Sequence, residues 1–484
     1  MIDIQNYIDG TLRAPVNGEY FDNIEPATGK AYARIPDSNE KDVERAVAAA
    51  ERAFPIWSGM STAERSAILM RVSEGINAKL DELAHAESKD NGKPIKLAKS
   101  VDIPRARDNF AFFATAILHD ENAMHDMGQN GFNYTLRKPL GVVGCISPWN
   151  LPLYLFSWKI APALAAGNCV VAKPSEVTPM TAFLLSSICM EAGMPPGVLN
   201  IVHGYGQSAG QAIVSHPTTK AISFTGGTST GKIIAGIAAQ QFKKTSLELG
   251  GKNANIVFGD ADFDEALKTS VRSSFANQGQ ICLCGSRLLI HRSIYTKFRD
   301  AFVERVKALR VAPPHLETSQ VGAVVSEAHR NKIEAYIELA KEEGGTVLCG
   351  GKRVVPDAPF NNGYYLEPTV IEGLSPHCRT NQEEIFGPVV TLMPFDDDDE
   401  AVAIANSTPY GLSSSIWTHN LNRAHRVAEK LDVGIVWVNC WLVRDLRTPF
   451  GGTKASGMGR EGGFYALEFF SEPKNVCIHL PRIE

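Results

Sequence analysis

The chain has 484 residues, 44% of them hydrophobic and 21% charged, and 48 basic against 53 acidic residues leave a net charge of −5. That length calls for two or three domains rather than one core. The mildly acidic balance lacks the basic footprint of a nucleic-acid binder, and the most apolar early stretch, Leu151–Ala166, carries Lys159 and Pro162 and is too short to span a bilayer.

In chain order, the opening "MIDIQNYIDG" has no basic segment followed by an apolar run, so no secretory signal is read and a cytoplasmic enzyme is expected. The first 120 residues read as mostly helical. "EKDVERAVAAAERAFPIW" and "STAERSAILMRVSEGINAKLDELAHAES" place apolar residues three and four apart, with Ser61 as an N-cap. From Gly141 the pattern changes to short apolar runs, "GVVGCIS", "CVVAKPS", "LNIVHG", "AISFTGG" and "SLELGG", with helical patterns such as "PMTAFLLSSICMEAG" between them. Repeated strand–helix–strand units predict an α/β fold with a parallel sheet covered on both faces, whose ligands sit at the carboxyl ends of the strands. A second α/β pattern runs from Lys252 to about Gly452. "FNYTLRKPL" and "EPKNVCIHL" are strand-like pieces outside both patterns, suited to an oligomerisation arm, and the acidic run at 396–400 reads as a solvated loop or helix start.

Nine cysteines are scattered without a CxxC pair, which argues against a disulfide scaffold or zinc ribbon, and no HExxH or EF-hand loop suggests a metal. "GGTSTGKI" imitates a phosphate loop, but Ile233 stands where the magnesium-binding hydroxyl is needed, so nucleotide hydrolysis is rejected. What remains is a strand, a glycine turn and a helix N-terminus suited to a pyrophosphate. A second turn, "GYGQSAG", follows a neighbouring strand. Lys173 and Glu176 in "AKPSEVTP" suit ribose hydroxyls, and the acid would repel a 2′-phosphate. Cys282 in "GQICLCG" is either a buried thiol or a nucleophile. Glu248, in an apolar strand end, is either a paired carboxylate or a general base with a raised pKa. Asn150 in "PWNLP" is either a helix cap or an oxyanion donor.

Seven strings, "PWNLP", "KPSEVTP", "FTGGTSTGK", "LELGGKN", "GQIC", "EEIFGPV" and "PFGGTKASGMGRE", stand in one order over essentially the whole length. In them the chain resembles the NAD(P)-dependent aldehyde dehydrogenase superfamily. The resemblance implies a Rossmann-like NAD-binding domain (residues 1–118 and 137–250), a catalytic domain (251–452), and an arm and tail (119–136 and 453–484) that make a homodimer or homotetramer. It implies Cys282 as nucleophile, Glu248 as general base and Asn150 as oxyanion donor. On the NAD side it implies Ser147, Pro148, Trp149, Lys173, Ser175, Glu176, Gly206, Phe224, Gly226, Gly227, Thr228, Leu249, Gly250, Glu384 and Phe386.

The substrate is read from "NCWLVRDLRTPFGG", where Arg444 and Arg447 stand in a stretch that lines the aldehyde pocket in the family, and from Arg105. These stretches resemble enzymes that oxidise 2-hydroxymuconate or 2-aminomuconate semialdehyde, whose distal carboxylate suits arginine. Arg105 and Arg444 are expected to clamp it, with Leu151 and Trp158 beside them, while Arg447, close to Asp445, is expected to be structural. Betaine, succinate or retinal-type aldehydes remain open, as does transfer of the acyl group to CoA, although a water-activating Glu248 argues against the latter. A non-catalytic binding protein is the remaining alternative, disfavoured by the intact Cys282, Glu248 and Asn150.

Overall fold

The computed structural model describes residues 1–480; the last four residues of the expected tail, 481–484, lie outside the described residues. The five apolar runs after Gly141 form the parallel centre of an eight-stranded sheet, in the spatial order Lys244–Glu248, Thr219–Thr225, Val142–Ile146, Cys169–Lys173, Leu199–Ile201. Val142–Ile146 and Cys169–Lys173 are buried along their whole length, as a sheet covered on both faces requires. The chain winds outward from Val142–Ile146 through two strands, then returns to lay Thr219–Thr225 on its other side, with Phe224 opposite Ile146. The order therefore reverses between Ile146 and Phe224, and such a switch point opens a crevice at the strand ends.

A second, seven-stranded sheet is parallel except for its edge strand Thr346–Cys349. Val257, Leu288 and Ile290 pack on one face, Ile256 and Leu289 on the other, the period-two alternation of strands. A third cluster joins the two sheets, with Leu151, Leu155, Ile281, Leu283, Trp441 and Phe450 among its buried members.

The N-terminal expectation needs a correction. Helices occupy Glu40–Gly59, Thr62–Ala78, Leu80–Asn91 and Ile103–Ala116, but five strands precede them within residues 2–36. Asn6–Ile8 joins the large sheet through Tyr7 opposite Ile201, and Tyr20–Glu25 pairs with Lys30–Pro36. The large-sheet partner lies almost two hundred residues away, which local periodicity does not register. Ser61 does cap its helix, in a reciprocal box with Glu64. The acidic run starts the helix Asp398–Asn406, with Asp397 as N-cap. Strands Met124–Asp126, Phe132–Pro139 and Ser471–Ile478 form a separate antiparallel sheet. Among the described residues no helix is long and apolar enough to cross a membrane.

Candidate active site

Five loops converge where the two sheets meet. Residues 147–151 follow Ile146, 249–251 follow Glu248, 277–282 follow the helix Phe263–Phe275, and 384–386 and 439–450 come from the second sheet. The first four line a cavity of about 230 Å³, with Trp149, Asn150, Gly227, Leu249, Cys282 and Phe386 among its lining residues. Pro148, Gly226, Gly250 and Glu384 also line it.

Cys282 is presented by an unusual turn. Asn277, Gln278 and Gly279 all have left-handed φ angles of 51°, 57° and 70°, a costly conformation outside glycine. Only glycine serves at the third position, because a Cβ there would lie 2.1 Å from the Gly387 carbonyl oxygen. Beyond the turn, the Cys282 carbonyl accepts from Asn253 Nδ2 at 2.7 Å, and the half-buried thiol faces the cavity. Burial, with the negative charges of Glu384 and Glu248, pushes the thiol well above its ordinary pKa, so it rests protonated.

Asn150 is almost fully buried, and its Nδ2 donates to the Gln280 carbonyl at 3.0 Å, leaving a second N–H on the amide that lines the cavity. Its own backbone carbonyl accepts from Lys93 Nζ at 3.1 Å and Asn277 Nδ2 at 3.0 Å. Lys93 is fully buried and pairs with Asp102 at 2.7 Å and Glu87 at 3.4 Å. A charged cluster thus anchors the loop that carries the amide.

Glu248 sits behind the cavity wall. It is 4% exposed, and neither carboxylate oxygen has a hydrogen-bond partner among the described residues. Burial and the nearby charge of Glu461 drive its pKa well above the ordinary range, offset by Lys159, Arg444 and Arg460. Sequence reasoning missed the group beside it. Glu461 pairs with the buried Lys159 at 2.8 Å and accepts from Ser223 at 3.1 Å. The signal was the strand serine Ser223 and the glutamate that ends the last quoted motif.

Most of the cofactor-side residues divide between two cavities, while Ser147, Lys173, Ser175 and Thr228 line neither. The second, about 490 Å³, is lined by Glu176, Gly206, Phe224, Val214, Ile233 and Ile237, among others. The helix Thr228–Gln240 begins at Gly227, which lines the first cavity, without a side-chain cap, so its first N–H groups are left for an anion. A Cβ at Gly227 would meet nothing within 4 Å, whereas one at Gly250 would lie 2.3 Å from Glu384. Lys173 reaches Glu176 at 3.0 Å; burial alone would raise the Glu176 pKa, but this cation and a hydrogen bond from the backbone N–H of Glu176 together lower it and hold the carboxylate ionised. An apolar slot, a helix N-terminus and a polar cavity fit a dinucleotide. Glu384 accepts from the Gly251 N–H at 2.8 Å, and Phe386, at φ 62°, packs edge-on against Trp149. The Phe386 carbonyl takes a 2.7 Å bond from His329, whose ring burial keeps neutral by lowering its pKa to about 4. Ser147 is buried with its hydroxyl unpartnered among the described residues. Ser175 and Thr228 line neither cavity: Ser175 accepts from Val177 N, and Thr228 donates to the Ala455 carbonyl. Lys232 is an exposed helix residue.

The loop 439–450 is pinned by Trp441 Nε1 donating to the Leu283 carbonyl at 2.9 Å and by Trp437 Nε1 donating to the Val443 carbonyl at 2.9 Å. It sets the Arg444 guanidinium between the rings of Trp158, at 4.4 Å, and Phe450, at 4.0 Å. Arg444 Nε and one terminal nitrogen are buried without a partner among the described residues. Arg105 lies over the Tyr154 ring at 5.6 Å, and Arg444 donates to the Tyr154 hydroxyl at 3.3 Å. The two arginines therefore share one tyrosine, which sequence reasoning had not singled out. Trp158 corrects an expectation: at 1% exposure it is a platform beneath Arg444 rather than a lining residue. Leu151, 8% exposed, likewise belongs to the core that joins the sheets, in one cluster with Ile281 and Leu283. Arg447 is paired with Asp445 at 2.6 Å on the surface.

A family model described as "Aldehyde dehydrogenase family" matches residues 14–476. The 2-aminomuconic semialdehyde dehydrogenase of Danio rerio is 49% identical over 479 residues, covering 98% of this chain and 98% of that protein. The 2-hydroxymuconic semialdehyde dehydrogenase of Pseudomonas sp. (strain CF600) is 46% identical over 492 positions, covering 99% of this chain and all of that protein. Among solved structures, PnpE in complex with nicotinamide adenine dinucleotide superimposes with a TM-score of 0.97 at 42% identity, covering 99% of this chain and 98% of that one.

Proposed function

This chain belongs to the aldehyde dehydrogenase family, and on that premise we propose that it oxidises a carboxylate-bearing semialdehyde of the 2-aminomuconic or 2-hydroxymuconic type to the corresponding acid, with NAD. The observation that carries the substrate class is Arg444. Its guanidinium lies between two aromatic rings with two buried nitrogens unpaired among the described residues. A desolvated cation of that kind is costly until a carboxylate meets it.

The chemistry of the chain's own residues follows. The Cys282 proton passes through water to the ionised Glu248, which releases it to solvent before it acts again, and the sulfur adds to the aldehyde carbon. The oxygen that becomes negative is met by the free N–H of Asn150 and by the Cys282 backbone N–H. NAD, when bound, supplies the acceptor for the hydride that leaves this carbon. The thioester on Cys282 is then cleaved by a water that Glu248 deprotonates. The raised pKa of Glu248, set by burial and the nearby charge of Glu461, suits it to accept that proton. Lys173 and Glu176 take the adenosine ribose, and the ionised Glu176 disfavours a 2′-phosphate there.

We further propose a cytoplasmic homodimer or homotetramer with the domain division given above. Nine unpaired cysteines suit a reducing compartment. The small antiparallel sheet, exposed along Glu472–Asn475, suits an arm that packs on a partner.

A panel of aldehydes with and without a distal carboxylate, scored by kcat/KM on the native chain and on Arg444→Ala, tests the substrate reading. The native enzyme is expected to prefer the carboxylate-bearing members. The variant is expected to lose about 30- to 1000-fold on those members, the equivalent of about 2–4 kcal/mol. Equal efficiency across the panel, or an indifferent variant, refutes the reading.

A further inference from the structure

We infer that Tyr154 is a specificity-determining residue: its ring and hydroxyl hold Arg105 and Arg444 on one wall, and its O–H proton is donated to the substrate carboxylate. This rests on the substrate reading above. Tyr154 follows Asn150 by four residues and precedes Trp158 by four, in the helix Pro152–Ala165. Helical spacing puts Tyr154 and Trp158 on one face, and Arg444 contacts both.

The neighbouring acids leave these arginines alone. Asp108, one turn from Arg105, is committed to Arg107 at 2.7 Å, and Asp445, next to Arg444, is committed to Arg447 at 2.6 Å. Among the described residues neither Arg105 nor Arg444 has a carboxylate partner. Two cations gathered at one neutral phenol repel each other, and an anion between them removes that cost. The Tyr154 oxygen accepts from Arg444, so its proton points elsewhere, and no acceptor for it occurs among the described residues. The ring face carries Arg105. Asn109 Nδ2, from the same helix as Arg105, donates to the Tyr154 carbonyl at 3.0 Å and fixes the two helices together.

The ring and the hydroxyl separate in two variants, Tyr154→Phe and Tyr154→Leu. Both are compared with a muconic semialdehyde and with hexanal, and by calorimetric titration with muconate, a dicarboxylate without the aldehyde. Tyr154→Phe is expected to raise KM for the semialdehyde about tenfold with kcat nearly constant, to lower the semialdehyde-to-hexanal ratio of kcat/KM accordingly, and to weaken muconate binding about tenfold. Tyr154→Leu, which also removes the platform for Arg105, is expected to lower the ratio further. If Tyr154→Leu does not fold, Tyr154→Phe decides. An unchanged ratio in Tyr154→Phe while Arg444→Ala collapses it overturns this proposal and leaves the substrate reading standing. A fall in kcat with KM constant also overturns it. An unchanged ratio in Tyr154→Phe and in Arg444→Ala alike removes the substrate reading, and this inference with it.

Discussion

Two carboxylates, one at the surface and one beside the cavity, show how much a single charge depends on its surroundings. Glu383 lies on the surface, is held by Arg379 and Tyr336, and ionises below the ordinary range. Glu248 lies in the interior, and burial together with Glu461 raises it far above. A base works only when ionised, so turnover limited by thioester hydrolysis rises with pH as Glu248 loses its proton. Glu461→Gln removes the neighbouring negative charge and leaves Lys159 facing Glu248, and both changes ease its ionisation. The acid limb of the kcat–pH profile is therefore expected to move to lower pH, and a limb that stays put or moves upward counts against the role given to Glu461. The motif strings made Cys282, Glu248 and Asn150 legible as chemistry-bearing types, but Glu461 carries its effect through space, across more than two hundred residues of chain.

At the scale of elements, the loop that carries Asn150 is held from a distance. The helix Leu80–Asn91, the turn after it and the helical turn Ala98–Asp102 bring Glu87, Lys93 and Asp102 together without solvent, and Lys93 reaches the Asn150 carbonyl. Lys93→Met would leave two buried carboxylates to share one apolar pocket and would release that carbonyl. The expected loss is about 3–5 kcal/mol of stability, read from chemical denaturation; a cost below about 1 kcal/mol would mean that the cluster relaxes into water instead. Nothing in the string "DNGKPIKLAKSVD" distinguishes this lysine from its exposed neighbours Lys89 and Lys96. The helices themselves were legible, because apolar spacing and caps such as Ser61 with Glu64 are local. The N-terminal strands were not, because their sheet partner is distant in the chain.

For the whole molecule, the sheet formed by Met124–Asp126, Phe132–Pro139 and Ser471–Ile478 stands apart from the two large ones. Three short strands need a further surface to be stable, so a chain truncated before Glu472 is expected to form smaller assemblies by light scattering than the full chain; an unchanged mass would remove the arm from the interface. The same large-scale view divides what was known at each stage. The sequence by itself determined the fold class and the strand-and-turn frame around "FTGGTSTGK", set Ile233 against nucleotide hydrolysis, and through its motif order pointed to Cys282, Glu248 and Asn150 as the proposed reacting trio. Only the tertiary structure decided that Trp158 is a platform rather than a wall, that Arg447 is spent on Asp445 while Arg444 is left free, and that Tyr154 joins Arg444 to Arg105. The physical reason is the same in each case: whether a charge is paired or an aromatic ring exposed depends on what the other sheet and its loops bring against it, and that is fixed only when the chain has closed around the crevice.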